Sequence, residues 1–117
     1  MTTGPASDVQ QHEPQLCDAA LSRVFDILGK RWNGMILGAL SGGPVSFSRL
    51  SRGVGGISDS MLSDRLGELA REGIVERAVA AGPPIAVTYR LTPAGVALMP
   101  ALDQLTVWAR QHLDAPS

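Results

Sequence analysis

Along most of the chain, apolar positions recur every three or four residues, the period of helices with one buried face. The first run follows Asp18, where Leu21, Val24, Phe25 and Leu28 share a side and Asp18 can cap the opening turn. Gly29 ends or kinks it. A second run brings Trp32, Met35, Ile36, Ala39 and Leu40 together, and Ser41-Gly42-Gly43-Pro44 stops it. Ser46 can then cap a short helix carrying Phe47, Leu50 and Val54, which Gly53, Gly55 and Gly56 break. Ser58 opens a longer helix, its hydroxyl positioned for a cap worth about 1 kcal/mol. Met61, Leu62, Leu66, Leu69 and Ala70 form the stripe of that helix, and Gly73 stands at its C′ position.

The period then changes to two. Val75, Arg77 and Val79 alternate with Glu76 and Ala78, and Val87, Tyr89 and Leu91 with Thr88 and Arg90. This predicts a two-stranded hairpin over 74–80 and 85–91, turning at Ala81-Gly82-Pro83-Pro84, with one face against the core. Thr92-Pro93 is a strong helix start, since proline at the first helical position has no N–H to satisfy. The last helix carries Val96, Leu98, Met99, Leu102, Leu105 and Trp108, with Pro100 predicting a kink or an early break.

A short helix, a glycine turn and a longer amphipathic helix are the helix-turn-helix plan, and a hairpin directly after the second helix is a wing. The predicted fold is α+β: a winged helix-turn-helix, mostly helical, with a two-stranded wing. Residues 1–15, rich in Thr, Ser, Gln and Pro, read as a mobile tail, and 16–113 as one domain with no internal repeat.

Composition narrows the function more than the fold. Hydrophobic residues make up 44% of the 117 and charged residues 18%, which fits a globular chain rather than a disordered one. No apolar run approaches the roughly 18 residues that span a bilayer, and no basic segment leads into an apolar one at the N-terminus. With a single cysteine, Cys17, there is no intramolecular disulfide and no cysteine-cluster metal site. These features point to the cytoplasm. The net charge of −1 does not by itself suggest DNA. Over 46–90, six arginines face five carboxylates.

Enzymatic patterns are missing. There is no Gly-x-Ser-x-Gly elbow, no P-loop and no His or Cys pair at metal spacing. Gly53-Val54-Gly55-Gly56 follows a helix rather than a strand and lacks a third glycine position. Neither catalysis nor a metal or cofactor is expected, and His12 and His112 read as solvated.

Over roughly Cys17 to Trp108 the chain resembles the HxlR-type family of winged-helix regulators. The resemblance rests on Cys17 before the first helix, Gly29-Lys30-Arg31-Trp32, Met35-Ile36-Leu37 and Phe47-Ser48-Arg49-Leu50-Ser51-Arg52. It continues through Ile57-Ser58, Met61-Leu62, Arg65-Leu66 and Leu69, then Gly73 to Arg77, Pro83-Pro84, Tyr89, Leu91-Thr92 and Gly95. It implies a homodimer built from N- and C-terminal helices, binding pseudo-palindromic double-stranded DNA and often repressing a neighbouring gene. It also implies a signal received either by the N-terminal cysteine, as an oxidant or electrophile, or by a small molecule at the dimer interface. Departures matter too. The family often has Arg at Ser46, Glu at Arg49 and Lys or Arg at Ser60, and a basic residue after the wing prolines, where Ile85-Ala86-Val87-Thr88 offers none. Weak non-specific binding with a shallow salt dependence is expected.

Candidate sites follow, each with its plainer alternative. Ser58, Ser60, Ser63 and Asp64 can face the major groove, hydroxyls reaching bases or phosphates and Asp accepting from cytosine N4; otherwise they form a solvated helix face. Arg49, Arg52, Arg65, Arg77 and Arg90 are candidate phosphate clamps. Arg65 can instead pair with Glu68 or Glu72 along its helix, and Arg77 can lie half-buried under the wing. Cys17 is either a thiol activated near a helix N-terminus or a small buried hydrophobe. Leu21, Phe25, Trp32, Leu102, Leu105 and Trp108 are candidates for the dimer interface or for an effector pocket between the first and last helices. The competing reading is a winged-helix protein-interaction module that does not bind DNA.

Overall fold

The computed structural model describes residues 18–113 together with Gln11, Glu13 and Pro14. Cys17, His12 and most of the 1–15 tail lie outside the described residues. Asp18 accepts from the Ala20 backbone N–H at 2.8 Å and opens α1 (Ala19–Leu28), which Gly29 terminates. The chain turns through Trp32, held at φ 83°, into α2 (Asn33–Leu40). A left-handed tryptophan is costly. Here its ring packs against the core and under the Arg31 guanidinium, 4.7 Å from the ring centre.

Strand β1 (Val45–Ser46) precedes α3 (Phe47–Gly53), and Ser46 caps α3 by accepting from the Arg49 N–H at 3.2 Å. Ser58 caps α4 (Asp59–Arg71) in the same way through the Met61 N–H at 3.0 Å. Its far end closes at Gly73, φ 77°, with Gly73 N–H on Ala70 O and Ile74 N–H on Leu69 O. That double bond is the Schellman closure, and a positive φ there favours glycine. Strands β2 (Val75–Ala80) and β3 (Ala86–Leu91) form the predicted hairpin, from Val75 opposite Leu91 to Ala80 opposite Ala86. Thr92 caps α5 (Pro93–His112), with Pro93 in its first turn.

The core is the meeting of α2, α3, α4 and the base of β2. Ile36, Leu37, Leu50, Leu62, Leu66 and Val75 are each at most 2% exposed.

Several expectations are corrected. The sheet has three strands in the order β1-β3-β2, since Val45 pairs with Tyr89 and Ser46 with Thr88. The inward face of α2 is Asn33, Ile36, Leu37 and Leu40, whereas Met35 is exposed. The wing does not bury one clean face: only its base meets the core, leaving Arg77 exposed and Val79 outside. Helix α5 runs unbroken through Pro100. The carbonyl that loses its donor there is that of Val96.

Candidate nucleic-acid interface

Helices α3 and α4 form the helix-turn-helix pair. Leu50 and Val54 share one buried cluster with Leu62, Leu66 and Leu69 of α4. A polar clamp adds to this: Ser51 Oγ donates to Asp59 Oδ1 at 2.7 Å, tying the middle of α3 to the first residue of α4. Sequence reasoning missed it; the pair is eight residues apart and neither side chain stands out alone. An acidic residue in the first turn also suits the positive end of the helix dipole.

With the stripe turned inward, Ser58, Ser60, Ser63 and Asp64 are all exposed, as are Arg49 and Arg52 on α3. Each of these predicted residues is thus open to solvent. The Ser58 hydroxyl spends a lone pair on its cap and keeps its proton for an external acceptor.

The arginines divide. Among the described residues, the side chains of Arg49, Arg52 and Arg77 are exposed and make no ion pair. Arg65 takes the plainer reading: its side chain is 19% exposed and Nη1 holds Glu68 Oε1 at 2.9 Å. Arg90 pairs across the hairpin with Glu76 at 3.2 Å. Lys30 also holds Glu68, and its hydrogen bond is the main reason the Glu68 carboxyl sits below the ordinary glutamate range; partial burial opposes this and Arg65 adds to it. Of the candidate phosphate clamps, Arg49 and Arg52 on α3 and Arg77 on the wing are therefore the ones left without an ion pair among the described residues.

The dimer candidates show a second pattern. Leu21, Phe25, Leu105 and Trp108 are between 52% and 60% exposed, although each lies on the apolar side of its helix. Trp32 and Leu102 are half-buried and pack against the core of the same chain.

The sequence pattern of the HxlR-like helix-turn-helix family matches residues 27–117. The chain belongs to this HxlR-like family. It is 41% identical over 94 residues to the HTH-type transcriptional regulator YodB of Bacillus subtilis, covering 80% of this chain and 84% of YodB. It is also 35% identical over 103 residues to the regulator YvaP of the same organism, covering 88% and 94%. The fold agrees. The reduced form of YodB superposes with a TM-score of 0.79 at 36% identity, covering 87% of this chain and all of that one. The redox regulator HypR in its oxidised form gives 0.75 at 30% identity, over 83% and 100%. This HxlR-like chain is therefore a transcriptional regulator with a helix-turn-helix fold, and its relatives are regulators rather than enzymes. Among the described residues no helix is long and apolar enough to cross a membrane.

Proposed function

We propose that the protein is a homodimeric repressor that binds a pseudo-palindromic operator, with one α4 helix in each of two successive major grooves. The observation that carries this reading is the division of the surface. A polar face on α4 is left open beside Arg49 and Arg52, while apolar faces on α1 and α5 are left without a partner. Two copies joined through Leu21, Phe25, Leu105 and Trp108 would cover the second face and pair the first. The half-sites would then lie about 34–36 Å apart. Ser58, Ser60, Ser63 and Asp64 read bases; Arg49 and Arg52 hold phosphates, and Arg77, Arg65 and Arg90 lie further down this order because they sit on the wing or are already paired.

The signal we assign is thiol chemistry at Cys17, directly before the Asp18 cap of α1. Its support is the pair of redox-responsive relatives: YodB has been solved in reduced, diamide-treated and quinone-bound forms, and HypR in oxidised and reduced forms. With one cysteine per chain, oxidation joins Cys17 to the partner's thiol or to a small thiol, releasing two protons and passing two electrons to the oxidant. An electrophile instead forms one bond to sulfur.

A salt-titrated gel shift on the promoter next to the protein's own gene tests the first part. A sequence-selective complex with dimer stoichiometry is expected; its failure to form at low salt, with and without reductant, favours the protein-interaction module. For the second part, Cys17→Ser should bind DNA normally and ignore diamide. A variant released by diamide like the parent rules out thiol sensing.

A further inference from the structure

Two cations at the junction of α1 and α2 are held in different ways. Lys30 Nζ lies 3.2 Å from Glu68 Oε2, so its charge is matched by an acid of α4, as Arg23 of α1 is matched by Glu72 at 2.9 Å. Arg31, beside it, is exposed and makes no ion pair among the described residues. Its guanidinium lies instead over the Trp32 ring, 4.7 Å from the ring centre. An acid would cancel the charge. A ring fixes the guanidinium in place, leaves its charge whole and leaves the N–H edge of the fork open to an anion.

The place of that ring gives Arg31 its role. Trp32 is held at φ 83°, a conformation that bulky residues rarely adopt and that persists where the surroundings enforce it. Here the ring packs against the buried cluster. The next residue, Asn33, is 2% exposed and donates from Nδ2 to the Ile27 carbonyl at 2.8 Å, tying the end of α1 to the start of α2. The far edge of the ring reaches the turn between α3 and α4. A Cβ at Gly56 would stand 3.4 Å from Trp32 Cη2, and Ser58, the cap of α4, follows two residues later. The ring that carries Arg31 on its face therefore touches the helix-turn-helix with its edge.

We infer that Arg31 is a phosphate contact, held by Trp32 as its positioning residue, on the DNA backbone beside the half-site that α4 reads. The assigned ligand is a phosphodiester, whose two free oxygens match the guanidinium fork. Backbone phosphates flank any helix laid in a major groove, and contacts to them fix its register. A guanidinium already seated on a ring loses little further freedom when it binds. Arg31 acquires this role only on the DNA reading proposed above.

The test is a set of gel shifts across a salt series on the promoter next to the protein's own gene. Two Arg31 contacts per dimer, at about 0.9 per phosphate, steepen the slope of log K against log salt by about 1.8. Arg31→Gln should be shallower than the parent by that amount, with the ranking of single-base variants of the site unchanged. Arg31→Lys keeps the charge without the planar fork, so it should restore the slope and only part of the affinity. Trp32→Phe, too short to reach Gly56, should weaken binding in the parent but add nothing in the Arg31→Gln background. Should the phenylalanine variant not fold, the two Arg31 variants decide alone. A slope in Arg31→Gln equal to the parent's overturns the assignment, as does a change in self-association by sedimentation in place of the slope. Equal losses from Trp32→Phe in both backgrounds overturn its positioning role. Absence of a selective complex with the parent itself would instead sink the DNA reading, so the two failures are distinct.

Discussion

Replacing Gly95 with alanine should destabilise the protein, against the usual sign for a glycine in a helix. Gly→Ala ordinarily gains about 1 kcal/mol by restricting the unfolded chain and improving helix propensity. Gly95, however, is buried in the first turn of α5, where the helix sits on the junction of α4 and β2. A Cβ there runs into the Ile74 backbone carbonyl and meets Cβ and Cδ2 of Leu91, each at 3.2 Å. The carbonyl is held by the Thr92 N–H, which donates to it at 3.0 Å, while the Thr92 hydroxyl proton is shared between it at 3.2 Å and the Gly73 carbonyl at 2.6 Å. The same Thr92 Oγ1 caps α5 by accepting from Gly95 N–H at 3.1 Å. Overpacking of this kind costs about 1–3 kcal/mol, and a displaced cap about 1 kcal/mol more. After the propensity gain, a net loss of about 2 kcal/mol remains, which in a domain of this size lowers Tm by about 10 °C. Gly67→Ala in α4 is the matched control. Its Cβ meets nothing closer than Arg71 Nη1 at 3.5 Å, so it should gain about 0.5–1 kcal/mol and raise Tm by about 4 °C. Thermal and urea unfolding at one fixed protein concentration, to hold association constant, read both. If Gly95→Ala matches or exceeds the parent, the packing argument is wrong.

Other outcomes follow from the site. If Arg49 and Arg52 supply the phosphate contacts, a dimer makes four, and log K should fall with log salt at a slope of about −3.6. Arg52→Ala should make that slope shallower by about 1.8 with little change in base preference, as read by gel shifts across a salt series. Glu68 has a carboxyl held low in the folded state by Lys30 and then Arg65, so its contribution to stability is complete above the unfolded glutamate value and is lost as pH falls through the lower folded one. Glu68→Gln should flatten the urea midpoint against pH in that acidic window and leave its slope unchanged near neutrality. Leu105→Glu combined with Trp108→Glu should give a folded monomer by sedimentation with weakened operator binding; a dimer that persists unchanged would place the interface elsewhere.

The sequence makes the caps more legible than the faces. Asp18, Ser46, Ser58, Thr92 and Gly73 all act where local chemistry puts them, because a cap is decided within four residues. Faces are decided by distant neighbours. Met35 and Leu37 are equally apolar, and only the position of α2 against α3 and α4 turns Leu37 inward. β1 is two residues long and has no period to detect; it exists because β3 offers it an edge. On the wing, alternation is real along the strand, but nothing covers its outer half, so Val79 and Ile85 stay exposed. Of the candidate site, the outward serines of α4 follow from the inward leucines. The pairing of Arg65 with Glu68 is local, three residues along one helix, but the second cation on Glu68, Lys30, lies 38 residues away and has no local signal.

That pairing bears on how such a protein holds DNA. Among the described residues four cations are matched by acids on the same chain, Arg65 and Lys30 by Glu68, Arg23 by Glu72 and Arg90 by Glu76, which leaves Arg49 and Arg52 on α3 and Arg71 at the end of α4 without an ion pair. On the proposed reading, with Arg49 and Arg52 as the phosphate contacts, one reading head alone would bind weakly, and the second would supply much of the affinity by being tethered to the first. The gain from a tether depends on geometry and vanishes when the two heads no longer match the groove spacing. On the proposed reading, regulation therefore need not touch a base contact. A modest change at the start of α1, where Cys17 precedes the Asp18 cap, can misalign the two heads and so release DNA. A protein richer in free arginines would be harder to dislodge this way, because each head would stay bound by itself.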